Sequence, residues 1–287
     1  MSAGVLFDSP GPRTRARHRI YAIVSAVVLL AAVGLVAWRF QQRGQFAYEL
    51  WEPFVTPDYV RAILVDGLLE TLKMAVFSVL FAVVFGVVFG IGKLSDHRVV
   101  RWSCWAVVEF FRAVPVLLLM IFVFFAYGVG EGGIGSFASV IIALTLYNGS
   151  VLAEVFRAGI NAVPRGQSEA AYAIGMRKTQ VMTLVLVPQA VKIMLPAIIS
   201  QCVVALKDTS LGFAIVAPGL TRVGKAIYGE FQNQVQTALV IAAIYVVVNL
   251  LLTWLATWLQ HRLVGERKIL DVGMVGETPG RTPGNAP

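Results

Sequence analysis

Six stretches of this chain are apolar for about twenty residues each, near 20–40, 66–92, 102–127, 134–156, 188–206 and 237–259. A helix needs roughly 20 such residues to cross the ~30 Å hydrocarbon layer of a bilayer. The runs are continuous rather than alternating, which excludes a barrel of ten-residue strands. The sequence therefore predicts an all-helical polytopic membrane protein. The composition agrees. Charged residues are 14% of the chain and hydrophobic ones 57%, against about a quarter charged in a soluble domain. The formal charge of +8 is spread between the apolar runs and forms no dense basic stripe, so no nucleic-acid partner is expected. Cys104 and Cys202 lie inside predicted spans without metal-ligand spacing and read as small apolar packers.

The positions of Lys and Arg orient the spans. With the N-terminus inside, the inside segments hold fifteen of them and the outside segments five. That bias places both termini in the cytoplasm of a multi-pass bacterial cell membrane protein. The segments 41–62 and 207–236 are then extracytoplasmic, and 157–187 is cytoplasmic. The first run follows Arg13, Arg15, Arg17 and Arg19 and is longer than a secretory h-region, so it reads as an anchor that stays in the protein. The expected organisation is a cytoplasmic tail (1–19), an additional transmembrane helix (20–40), an extracytoplasmic loop (41–62), a transmembrane domain (63–262) and a disordered cytoplasmic tail (263–287). The last is rich in Gly, Pro and Thr and too poor in apolar residues to fold alone. Residues 210–236 read as a loop with a partial or re-entrant helix. Pro115 and Pro196 are expected to kink their helices.

The cytoplasmic stretch RGQSEAAYAIGMRKTQ, starting at Arg165, differs from the spans around it. Ser168 suits an N-cap or first turn and Glu169 the first turn of a short helix. Ala170, Ala171 and Ala173 favour that helix, Ala170, Ala171 and Ile174 give it a small apolar face, and Gly175 suits its stop. So short a helix needs a surface to pack on. Physics leaves two surfaces open, the lipid interface or a groove on a soluble partner.

The spacing Glu169-Ala170-Ala171, three residues, Gly175, nine residues, Val185-Leu186-Val187-Pro188 resembles the EAA loop of ABC-transporter permeases. Val stands here where that pattern has Ile and Leu. The stretches EFFRAVPVLLLMIF (109–122), LYNGSVLAEVFRAGINAVPRGQSEAA (146–171), ALKDTSLGF (205–213) and GLLETLKMA (67–75) are similar to those of the polar amino acid permeases. The extra first span and the RAVP and LYNGS wording look most like the actinobacterial glutamate-uptake permeases. The sequence after KDTSLGF fits that pattern less clearly.

The resemblance implies a type I ABC importer permease fold, with five core helices behind one N-terminal helix. It implies a coupling loop at 158–188, in which Arg165, Gly166, Ser168, Glu169, Ala170, Ala171, Ile174 and Gly175 meet a cytoplasmic ATPase dimer. It also implies a second permease, most simply in a heterodimer, and an extracytoplasmic binding protein that delivers the amino acid. L-Glutamate is the substrate the resemblance favours, with glutamine, aspartate or arginine as alternatives. An ion-coupled secondary transporter is the competing class, but neither inverted symmetry nor a discontinuous pair of spans is visible.

No cofactor is expected on this chain; ATP and Mg²⁺ belong to the partner. The nearest phosphate-loop lookalike, GLTRVGKA (219–226), has Ala226 where the metal-binding Ser or Thr belongs. Candidate substrate contacts are polar residues in or beside spans. Arg112, about ten residues into the third span, would lie ~15 Å deep and suits a carboxylate. Glu154, in the inner half of the fourth span, suits an ammonium. Alternatively the two pair with each other, or Glu154 pairs with Arg157. Lys207, Asp208, Thr209 and Ser210 form a turn after the fifth span, near an outer gate by resemblance. Asn148, Thr71 and Gln201 are ligand contacts or helix–helix glue.

Overall fold

A computed structural model describes residues 12–264 of the chain. The described residues are helical, with no strand among them. We number the helices α1 (Pro12–Gln42), α2 (Pro57–Gly92), α3 (Arg98–Ala113), α4 (Val116–Gly128), α5 (Gly135–Asn161), α6 (Arg165–Ala173), α7 (Lys178–Ile215), α8 (Leu220–Phe231) and α9 (Gln234–Val264). Helices α1, α2, α5, α7 and α9 are each long and apolar enough to cross a membrane. The tail expected to be disordered lies outside the described residues except for its first two positions.

The third expected span is not straight. Helices α3 and α4 meet at a bend of 100°. Pro115 lacks an N–H and its ring pushes the preceding residue out of the helical region. Val114 is accordingly extended, at φ −80° and ψ 127°. The kink expected at Pro115 is thus a full break, and Arg112 lies in the last turn of α3, just before it.

The described residues divide into two compact units, one within Met1–Leu69 and Gly219–Ala243, the other within Glu70–Pro218 and Ile244–Pro287. In the first, the segment after α1 is tied to α8 and the start of α9. Asn233 donates to the Leu50 carbonyl at 2.8 Å, Gln236 to the Gln45 carbonyl at 2.6 Å, and the Tyr59 hydroxyl to Glu230 at 2.9 Å. Both partners in each pair come from segments that the charge bias places outside. The phosphate-loop lookalike sits in this unit as the first turns of α8, with Gly219 before it. It forms no Gly-rich loop.

In the second unit α2 packs along α5. Ser78, Ala82, Gly86 and Gly90 recur every four residues and are buried, which lets two backbones approach as small-residue stripes do in membranes. A Cβ on Gly86 would lie 2.7 Å from the Leu152 Cβ, and one on Gly90 2.9 Å from the Ala153 carbonyl oxygen. Two apolar clusters complete the interior. One joins Met74, Met120, Val140, Leu144 and Ile215; the other joins Ala82, Leu152, Phe156, Ala190 and Met194. Pro196 is carried inside α7.

Candidate functional site

Three polar groupings interrupt the apolar second unit. The first is α6. It starts at Arg165, because Pro164 is extended (φ −53°, ψ 131°) and can only precede a helix here. Ser168 thus closes the first turn rather than capping the helix, its hydroxyl donating to the Arg165 carbonyl at 2.8 Å, and Glu169 is beyond the first turn. The expectation of a Ser168 cap and a first-turn Glu169 is corrected by this earlier start. The stop is as expected. Gly175 N–H donates to the Tyr172 carbonyl and Met176 N–H to the Ala171 carbonyl, at 2.9 and 3.2 Å. This paired closure requires a left-handed residue, and Gly175 has φ +82°.

Helix α6 packs on the wide turn Val181–Leu186 of α7, with Ala171 buried. The expected apolar face is therefore divided. Ala171 points inward, whereas Ala170 and Ile174 are exposed, Ile174 at 78%. Arg165, Gly166, Glu169, Tyr172 and Gly175 are exposed with them. Near this helix, Lys178 pairs with Asp96 of the α2–α3 connection. That hydrogen bond and charge hold the Asp96 carboxyl below the usual carboxylate range. Both residues come from segments that the charge bias puts inside.

The second grouping is a chain of five alternating charges, Arg112–Glu109–Lys93–Glu154–Arg157. Arg112 donates to Glu109 at 3.1 Å, and Lys93 lies 3.5 Å from the same carboxylate. Lys93 also pairs with Glu154, which accepts from Arg157 at 2.9 Å. The Lys93 side chain is 5% exposed. Arg112 and Glu154 thus belong to one network, joined through Lys93 and Glu109 rather than to each other. Beside it lies a cavity of about 600 Å³ lined by Lys93, Glu109, Glu154 and Arg157 together with Arg98, Arg101, Trp102 and Trp105. Lys93 was overlooked in the sequence because it directly follows a span and counts as a loop cation. The signal for it was the pair of acidic residues, Glu109 and Glu154, within apolar runs.

The third grouping is uncharged. Gln201 donates to the Asn148 carbonyl oxygen, and Asn148, 1% exposed, keeps its amide nitrogen without a partner. Tyr245 is hydrogen bonded to Thr71 and Thr209, both buried. Tyr245 stands alone as a phenol in the apolar run of α9 and was not singled out in the sequence. Asp208 ends the regular helix of α7, and Thr209 and Ser210 begin the tighter helical turns Thr209–Ile215. The expected free turn at 207–210 is therefore helical, since the apolar LGFAI that follows stays packed, with Gly212 and Ile215 buried.

A membrane helix bundle with an isolated helix between spans has known counterparts. The family model described as binding-protein-dependent transport system inner membrane component matches residues 82–265. The chain belongs to this family. Within it, the chain is 42% identical over 240 residues to the glutamate transport system permease protein GluD of Corynebacterium glutamicum, covering 82% of this chain and 88% of the relative. It is 31% identical over 207 residues to the glutamate/aspartate import permease protein GltK of Escherichia coli O157:H7, covering 69% of this chain and 92% of that one. It is also similar to a chain in the crystal structure of an amino acid ABC transporter with histidines, at 30% identity and a TM-score of 0.66. That comparison covers 72% of this chain and 96% of the other. The fold is that of the type I ABC importer permeases.

Proposed function

We propose that this family member is the permease subunit of an ATP-driven amino acid importer and that its substrate is L-glutamate. The observation that carries the reading is the 42% identity to a glutamate transport permease over most of both chains. Helix α6 supports the coupling role. It leaves Ile174 and Tyr172 bare beside Glu169 on the side where Lys and Arg accumulate, and a groove on a soluble ATPase would cover them. The residues Arg165, Gly166, Ser168, Glu169, Ala170, Ala171, Ile174 and Gly175 form this docking element.

ATP and Mg²⁺ act in a cytoplasmic ATPase dimer. Closure of that dimer moves α6, and α6 moves α5 and α7, to which it is joined in sequence. The spans then alternate between inward and outward access, with a second, similar permease opposite and an extracytoplasmic binding protein supplying the amino acid. Both termini are cytoplasmic. The path for substrate runs past Asn148, Thr71, Thr209 and Ser210, with Lys207 and Asp208 at its outer end and Arg112 and Glu154 toward its inner end. The uncharged groups supply donors and acceptors for the substrate's ammonium and carboxylates, and the nearby cations offset the net negative charge of glutamate.

The test is to purify the complex through this chain, identify the subunits that accompany it, and measure ATPase stimulation by glutamate, glutamine, aspartate and arginine. The reading requires an ATPase and a second permease in the preparation, and strongest stimulation by glutamate. Stimulation by arginine alone would overturn the substrate, and the absence of any ATPase would overturn the class.

A further inference from the structure

The cavity beside Lys93 carries more positive charge than its own carboxylates use. Glu154 is occupied by Lys93 and Arg157, and Glu109 by Arg112 and Lys93. Arg98 and Arg101 have no carboxylate within 4.0 Å among the described residues. Arg101 gives one N–H to the Ser95 carbonyl at 2.9 Å, and a guanidinium has five to give. Trp102 and Trp105 stand one helical turn after these arginines on the same face of α3, both exposed, and their rings meet edge to face at 5.5 Å.

The bend fixes where this face lies. Helix α4 has no charged residue and is the arm suited to the bilayer interior. Helix α3, turned 100° from it, then runs close to the membrane plane. Arg98, Arg101, Trp102, Trp105, Glu109 and Arg112 recur at spacings of three and four and share one face, while Val99 and Phe110 are exposed on another. A helix with a charged face, Val99 and Phe110 bare on another, and tryptophans, which favour the headgroup level, suits the interface. A basic pocket at that depth on the cytoplasmic side suits an anionic headgroup. Glu109 and Glu154 each already hold two cations, so the cavity's free groups favour an anion without an ammonium over a resident amino acid.

We infer that the cavity bounded by Arg98, Arg101, Trp102 and Trp105 holds the phosphate of an anionic phospholipid of the inner leaflet. Arg98 and Arg101 bind the phosphate oxygens, and the two indoles pack on the glycerol and upper acyl chain. The leaflet assignment rests on the orientation proposed above; the binding itself does not need the importer reading.

The experiment is native mass spectrometry of the complex purified through this chain, mixed with phosphatidylglycerol, with phosphatidylcholine of the same acyl chains, or with glycerol 3-phosphate. Wild type should retain phosphatidylglycerol in preference to phosphatidylcholine. Each arginine contributes about fivefold to retention, so Arg98→Gln should lose about fivefold and Arg98→Gln with Arg101→Gln about 25-fold. Arg98→Gln alone breaks no carboxylate pair, which guards against a folding artefact, and Arg222→Gln in α8 removes a charge elsewhere and should retain the lipid as wild type does. Equal retention by the double variant, equal retention of phosphatidylcholine, or displacement of the lipid by equimolar glycerol 3-phosphate would each overturn the inference. Lipid retention is read without ATP or amino acid, so it fails independently of glutamate-stimulated ATPase measured on the same preparation.

Discussion

Replacing Lys93 by Met is the sharpest probe of the interior. The side chain is 5% exposed and holds two carboxylates that belong to different helices, Glu109 on α3 and Glu154 on α5. Breaking a buried ion pair from one side costs about 3–5 kcal/mol, whereas an exposed pair contributes at most about 1 kcal/mol. The Glu154 and Glu109 side chains are 19% and 39% exposed, and each keeps an arginine at 2.9 and 3.1 Å. The expected loss for Lys93→Met is therefore intermediate, about 2 kcal/mol. For a chain of this size, with an unfolding entropy of about 0.6 kcal/mol/K, that corresponds to a fall of roughly 3 °C in the thermal midpoint of the solubilised complex. Adding Glu154→Gln loses the Lys93–Glu154 interaction only once, so the loss in the double variant should fall short of the sum of the two single losses by about 1 kcal/mol. Intrinsic fluorescence during heating of the three variants measures the cycle. A Lys93→Met protein as stable as wild type would refute the buried network. Strict additivity of the two substitutions would refute the pairing of Lys93 with Glu154.

Three further outcomes follow from the packing and the turn chemistry. Gly86→Ala should destabilise by about 1–3 kcal/mol through overpacking against Leu152, while Gly34→Ala in α1, with nothing within 4 Å of the new Cβ, should be neutral or slightly stabilising; equal thermal midpoints for the two would contradict the α2–α5 contact. Gly175→Ala forces a side chain into the left-handed region at a cost of about 1 kcal/mol, and should lower ATP-driven uptake more than it lowers membrane insertion, read by transport assay and immunoblot. The lowered pKa of Asp96 means its pairing with Lys178 favours the folded state above the unfolded carboxyl value of about 3.9 and is lost as pH falls through the lower folded value. The difference in thermal midpoint between wild type and Asp96→Asn should thus be constant from about pH 6 to about pH 8 and close only below about pH 4; a difference that grows on acidification contradicts the pairing.

The spans were legible because lipid demands long unbroken apolar helices, and that demand is written residue by residue. The α3–α4 bend was legible as a kink at Pro115 but not in its size, since apolar residues run straight through and a proline alone does not say whether a helix kinks or breaks. Helix α6 was legible at its end, where Gly175 meets a conformational requirement. It was misread at its start, where Pro164 moved the first turn back and carried Glu169 out of it. Glu154 was recognised as costly in a membrane, but its partner Lys93 is 61 residues away in sequence, and only the packing of α2 on α5 brings the two together. Tyr245 with Thr71 and Thr209 was hidden for the same reason.

The central claim is that this chain passes work from ATP, received at α6, to glutamate in the membrane. Its most direct test is uptake of labelled L-glutamate into liposomes that contain the purified complex and binding protein, with ATP enclosed on the side of α6. The account predicts accumulation that requires ATP and the binding protein, and its loss when Glu169→Ala and Gly175→Ala are combined, with the complex still in the membrane. Accumulation driven by an ion gradient without ATP, or undiminished uptake by the double variant, would contradict it.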